Sequence, residues 1–303
     1  MHEIRVSVPD GQSARVARAA ADAGIPQVTV YRVFVHGLNQ DREVVSAESS
    51  TPASKAFVDA LLAADWFDPA RCSITTRELR AILDHQPMSE ITRPMVEPSL
   101  DVLEDLWMLN HITPSYLGRA GSAALLLAYG MFENSAVSIV VAALFLPFLS
   151  QVLGISFGLW AGDRALARTA ALALGISGLA SIVAGAAVAL VYSGPFRYTD
   201  FKPPLWSFVF SCAIGIAAGL ASADDAGRRY IIGVAAGVQF AVFPVWLGVC
   251  LVRGFPDLET TWERIATLAI NLATILVISG VVYALAGLKR TEAGHFRKKV
   301  SRG

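Results

Sequence analysis

The sequence predicts an α-helical polytopic membrane protein, a bundle of about six transmembrane helices, preceded by a small α+β soluble domain. Three observations predict it. Hydrophobic residues make up 54% of the 303 and charged residues only 17%, where a soluble domain carries about a quarter charged; mean hydropathy is +0.51. The charge is also uneven. Residues 1–110 hold it at ordinary density, whereas from Ser122 onward long apolar runs are broken by short charged clusters, which marks a boundary near residues 87–118. Finally, the first 86 residues alternate between strand and helix patterns, and the remainder does not.

Within residues 1–86, Glu3–Pro9 alternates as a strand, and Ser13–Ala23 is an amphipathic helix ended by Gly24. Gln27–His36 (QVTVYRVFVH) is the strongest strand, with branched and aromatic residues in alternation. A Gly-Leu-Asn turn follows, then a strand over Arg42–Glu48, a helix over Ser54–Ala64 and a strand over Cys72–Arg77. The order βαββαβ is the split βαβ, or ferredoxin-like, pattern. The opening MHEIRVSVPDG lacks the apolar stretch of a signal peptide, so this domain is expected in the cytoplasm. His2, His36, His85 and Cys72 are scattered, and Cys212 and Cys250 sit in apolar runs. No metal, disulfide or cofactor is expected. Net charge is zero, and nothing in it attracts nucleic acid.

Residues 87–116 form a linker. Ser99 is placed to cap a helix, and Leu100, Leu103, Leu106 and Trp107 recur at helical spacing. This helix is expected to lie at the membrane surface, or to bury an apolar stripe against the head.

A hydrocarbon core of about 30 Å needs about 20 apolar residues per helix. Six spans fit residues 117–288: Leu117–Phe132, which is short and holds Arg119; Ser135–Ala161, with Pro147; Leu166–Tyr192; Leu205–Ala223; Tyr230–Val252, with Pro244; and Ile265–Leu288. With the head inside, cytoplasmic segments carry Arg164, Arg168, Arg228, Arg229 and the basic tail of residues 289–303. The bias predicts a cell-membrane protein with both termini cytoplasmic. Small residues four apart, as in Gly154, Gly158 and Gly162 or Gly215 and Gly219, let helices approach closely.

Spans one to three and four to six look alike. Each unit has an acidic break (Glu133-Asn134; Asp224-Asp225), then a helix with a proline near its middle, then a charged turn and a third helix. A three-span repeat is odd, so its second copy enters from the opposite side and the repeats are inverted, as in many secondary transporters. Proline removes a backbone donor, and non-helical backbone at membrane depth is tolerated where it lines a cavity or is buried in protein.

The run GMFENSAVSIVVAALFLPFL followed by GISFGLWAGD gives Gly130, Glu133, Asn134, Ser135, Pro147, Gly154, Gly158, Gly162 and Asp163. A second run gives Gly233, Val234, Pro244 and Asn271. On these residues, over about residues 120–285, the chain resembles a family of bacterial and archaeal membrane proteins described only as an uncharacterised hydrophobic-domain family, a domain of unknown function. It departs from that pattern at Val141-Ala142-Ala143, Ser150-Gln151 and Phe243-Pro244. The resemblance implies architecture and carries no activity.

Polar groups in hydrocarbon are costly and therefore informative. The candidate solute- or ion-binding residues are Glu133, Asn134 and Ser135 at the first break, Pro147 and Gln151 in span two, Gln239 and Pro244 in span five, and Asn271 in span six. Each has a structural alternative: a turn for the first three, interhelical hydrogen bonds for the amides. No catalytic residue is predicted. No histidine lies between His111 and His295, and no phosphate-binding glycine loop occurs. The function expected is that of a secondary transporter or channel for a small solute or ion, gated by the cytoplasmic domain, with Glu133 as its ion or proton group. The alternative is a membrane-anchored sensor or scaffold. The expected partners are the bilayer, an unidentified small solute or ion, and a second copy of the chain.

Overall fold

A computed structural model describes residues 2–37, 39–49, 51–68, 71–78, 99–224 and 233–288. The chain divides into two compact units, Met1–Leu103 with Ala223–Ala226 and Gly287–Gly303, and Glu104–Ser222 with Gly227–Ala286.

In the first unit the elements run β1 (His2–Pro9), α1 (Ser13–Asp22), β2 (Val28–Val35), β3 (Gln40–Ser49), α2 (Thr51–Ala63) and β4 (Ser73–Glu78). The strands form one antiparallel sheet in the order β2-β3-β1-β4. Period-two alternation in β1 turns Ile4, Val6 and Val8 fully inward. They pack with Val16 and Ala20 of α1, Val45 of β3, and Phe57 and Leu61 of α2. Gly24, at φ +83°, takes the left-handed conformation just past α1. Glu43 of β3 accepts a hydrogen bond from the Ser13 backbone N–H at 2.9 Å, fixing the start of α1 on the sheet. That bond, and more weakly nearby Arg32, hold the Glu43 carboxyl below its ordinary pKa.

The second unit is helical. The C-terminal half of α3 (Ser99–Asn110) enters it, followed by α4 (Pro114–Glu133), α5 (Ala136–Phe145), α6 (Phe148–Ala161), α7 (Arg164–Val191), α8 (Pro204–Ala223), α9 (Gly233–Arg253) and α10 (Leu258–Leu285). Among the described residues three helices are long and apolar enough to cross a membrane: α7, α8 and α10. The pair α5 and α6, bent by 43°, makes a fourth if it is one span. This is a membrane protein on that evidence. The fully described part of α9 contributes the shorter apolar stretch Phe240–Arg253.

Two expectations about the spans are corrected. The first is not short: Pro at N1 and Thr113 as N-cap start α4 earlier, and its 20 residues reach about 30 Å. It has the length of α8 without its apolarity. The second span is not one helix. Leu146, which precedes proline, takes extended angles (φ −80°, ψ 124°), and α6 begins afresh after Pro147. Pro244, by contrast, stays inside α9, which runs unbroken through it.

Close approach decides the packing of the unit. A Cβ at Gly248 would meet the Ile182 carbonyl oxygen at 2.0 Å, and one at Gly185 the Val245 oxygen at 2.2 Å, so α7 and α9 touch backbone to backbone. Gly215 and Gly219 of α8 take up the side chains of Ile278 and Val282 of α10, where a Cβ would stand 2.9 Å from each. The expected close-packed bundle is built on these contacts.

Candidate functional site

The break at Pro147 positions a buried polar cluster in the helical unit. Proline cannot donate to the preceding turn, so the chain restarts as α6, and the Ser150 hydroxyl donates to the Pro147 carbonyl at 2.8 Å. Gln151 follows at the first turn of α6 and is completely buried. Its amide nitrogen donates to Ser177 Oγ of α7 at 2.8 Å and to the Tyr116 hydroxyl of α4. Tyr116 in turn bonds Ser177 Oγ at 2.5 Å and donates to the Ala173 carbonyl at 2.9 Å.

Both N–H groups of the glutamine are used, one on each hydroxyl. The carbonyl oxygen Oε1 has no partner among the described residues. A buried acceptor left unmade costs about 1–3 kcal/mol, so it asks for a donor. Close by, Asn110 at the end of α3 donates to the Leu106 carbonyl at 2.7 Å and to the Ser150 carbonyl at 3.1 Å. Its own Oδ1 is likewise buried without a partner among the described residues. The side-chain oxygens of Gln151 and of Asn110, which bonds the Ser150 carbonyl, thus both lack donors among the described residues. The linker helix therefore does more than bury a stripe: Asn110 sits against Gly154, where a Cβ would stand 2.6 Å from its nitrogen.

A second buried amide lies between α8 and α10. Asn271 of α10 is completely buried and accepts from Ser211 of α8 at 3.0 Å. Its Nδ2 has no partner among the described residues. Between the halves, Ser156 of α6 donates to the Leu276 carbonyl at 2.8 Å, and Ser279 donates to Ser156 at 2.8 Å.

Glu133, Asn134 and Ser135 are brought together, but elsewhere and as a turn. Glu133 is the last residue of the full-length α4, and Asn134 is its left-handed cap at φ +53°. Ser135 caps α5 by accepting from the Ser138 N–H at 3.4 Å. The half-buried Glu133 carboxylate accepts from the Tyr192 hydroxyl at the end of α7. The Tyr192 carbonyl accepts from Arg253, whose guanidinium also donates to the Gly194 carbonyl at 2.7 Å and stands 5.0 Å over the Phe132 ring. This set of contacts ties together the ends of α4, α7 and α9. Glu133 ends a whole helix and not a half-helix.

Of the eight sequence-predicted residues, Pro147 and Gln151 make one site and Asn271 stands apart from them with Ser211. Pro244 is buried in α9 and lines a cavity beside α7 and α10. The Gln239 side chain lies outside the described residues. Sequence reasoning missed Tyr116, Ser177 and Asn110. Tyr116 lies in the first turn of α4, two residues after Pro114, where its ring reads as an ordinary interfacial aromatic. Among the described residues no group of three or more His, Cys, Asp or Glu could hold a metal ion.

Residues 139–277 match the family described as Domain of unknown function (DUF389). The resemblance drawn from the two proline-containing runs is thereby shown, from Pro147 through Asn271. No curated protein and no solved structure matches the chain.

Proposed function

We propose that the helical unit is a transporter or channel for a small solute that donates hydrogen bonds or for a cation, with its binding site at Gln151, Tyr116 and Ser177. The observation that carries this is the pair of buried amide oxygens, on Gln151 and Asn110, that lack donors beside a broken helix. Broken helices place free polar groups at membrane depth where a solute can use them. No carboxylate takes part in this cluster, so the ligand is held by neutral oxygens, and the central role passes from Glu133 to Gln151.

The inverted repeat belongs to this reading, and internal matches support it. Third helices α7 and α10 are 28 residues each and are capped by Asp163 and Asp257; first helices α4 and α8 are 20 each. Ser177 and Asn271 stand equally far beyond those two aspartates. Each bonds the first helix of its own half, at separations of 61 and 60 residues. In this reading α4 and α9 also cross, giving six spans, with both termini cytoplasmic in the cell membrane. The strand order β2-β3-β1-β4 supports a ferredoxin-like head, which in this reading gates the bundle.

A thermal-shift screen of the full-length protein against Na⁺, K⁺, polyols, sugars and amino acids tests the proposal. A ligand at 100 times its dissociation constant adds about 2.7 kcal/mol. We expect a stabilising hit that Gln151→Leu removes and Glu133→Gln keeps. A hit that survives Gln151→Leu rejects the site.

The sensor or scaffold reading is favoured by one observation. The edge strand β2 exposes Val30, Tyr31 and Phe34, the last at 50%, which suits a protein partner. A ligand hit that follows mutations in β2 and not Gln151 would support it.

A further inference from the structure

Two arginines flanking the turn between α9 and α10 are treated differently by the fold. Arg253, at the end of α9, spends its donors on the carbonyls of Ala189, Tyr192 and Gly194. Arg264, in the second turn of α10, has no hydrogen-bond acceptor among the described residues. It is half-buried, with its guanidinium 4.0 Å from the centroid of the Phe201 ring and 4.6 Å from that of Trp246. The rings orient the cation and hide its faces, but they leave its N–H edge unpaired. Asp257 is occupied as the N-cap of α10 by the Thr260 N–H at 2.8 Å, and exposed Glu263 forms no ion pair with Arg264.

Arg264 closes one end of a cavity of about 420 Å³ between α7, α9 and α10. The rest of the lining is apolar: Gly175, Gly178, Leu179, Pro244 and Leu247 among others. The cavity opens outward, since Leu179 is 61% exposed and Ile265 41%. Gly175 and Gly178 on its wall have nothing within 4 Å of where a Cβ would stand, unlike the glycines packed against backbone elsewhere in the bundle. These two glycines therefore leave space without bringing helices together. Arg264 lies about 10 Å along α10 from its start, two residues after the exposed Trp262, a ring type enriched at membrane–water interfaces.

We propose that this cavity binds an anionic phospholipid, its phosphate on the Arg264 guanidinium and an acyl chain in the groove over Gly175 and Gly178. A single cation at the mouth of an apolar slot, at headgroup depth and open to the bilayer, complements an anionic amphiphile. Arg suits phosphate because its planar fork binds two oxygens at once. The site lies on the opposite face of α7 from the one that carries Ser177 toward Gln151, so occupancy would brace the helix that supports the polar cluster.

The test is native mass spectrometry of the full-length protein released from micelles doped with phosphatidylglycerol or phosphatidylcholine. We expect one phosphatidylglycerol to stay bound under conditions that strip phosphatidylcholine. Arg264→Gln and Gly178→Leu should each lower that adduct about tenfold. Gly178→Leu fills the groove where there is open space, so its melting temperature should stay near that of the parent, which separates lost lipid from lost fold. Equal retention of phosphatidylcholine, or an adduct unchanged in both variants, overturns the proposal. Displacement by millimolar inorganic phosphate would assign Arg264 to a soluble anion and overturn it equally.

Discussion

At the scale of single residues the account turns on which polar groups are satisfied. Gln151→Met keeps the volume and removes the amide. Tyr116 and Ser177 retain each other and the Ala173 carbonyl, and polar contacts between membrane helices average only about 0.6 kcal/mol. The variant should therefore lose less than about 1 kcal/mol in a melting experiment while losing ligand stabilisation entirely. In the head, Glu43 gives a prediction with a sign. Its folded pKa is lowered, chiefly by the Ser13 N–H, so its contribution is present above the unfolded pKa of about 4.3 and fades as pH falls through the folded value. Glu43→Gln should lower the melting temperature of the head at pH 7, and the gap between variant and parent should close towards pH 3. The sequence showed Gln151 because it stands one turn beyond a proline. It did not show Ser177, because serine hydroxyls in apolar helices ordinarily bond their own backbone, as Ser181 does to the Ser177 carbonyl, nor Tyr116, because a tyrosine in the first turn of a membrane helix reads as an interfacial ring. Glu133 stood out as the rarer residue type, and it ends α4 against the Tyr192 hydroxyl, away from Gln151.

At the scale of elements the two prolines do different work. Pro147 separates α5 from α6 at a bend of 43°, whereas α9 continues through Pro244. Pro147→Ala restores a donor and should let the pair straighten. Spin labels at the exposed Val137 and Leu159 would read a longer distance in that variant, and an unchanged distance would show that packing, not the proline, sets the bend. The glycines divide just as sharply. Gly248→Ala places a Cβ 2.0 Å from the Ile182 carbonyl oxygen and should cost about 3 kcal/mol, visible as a lower melting temperature of the purified protein. Composition made the bundle and its small-residue seams legible, and period-two alternation did the same for the strands of the head. The break between α5 and α6 was harder to read, since proline is tolerated inside membrane helices and one of two similar prolines here leaves its helix whole.

At the scale of the whole molecule the chain joins an antiparallel sheet unit to a helical membrane unit in which both halves carry a buried amide bonded to a hydroxyl. Boundaries between runs were readable from charge density; the unit boundary falls at Leu103, within α3, because the helix continues through it with no change in local pattern. The central claim is that solute crosses the bilayer by way of Gln151. The most direct test is flux into proteoliposomes holding the full-length protein, read by swelling for polyols and by ion-sensitive dyes for Na⁺ and K⁺. The account predicts flux of at least one of these, abolished by Gln151→Leu and retained by Glu133→Gln. Flux that persists undiminished in Gln151→Leu, or stops only with Glu133→Gln, would contradict it.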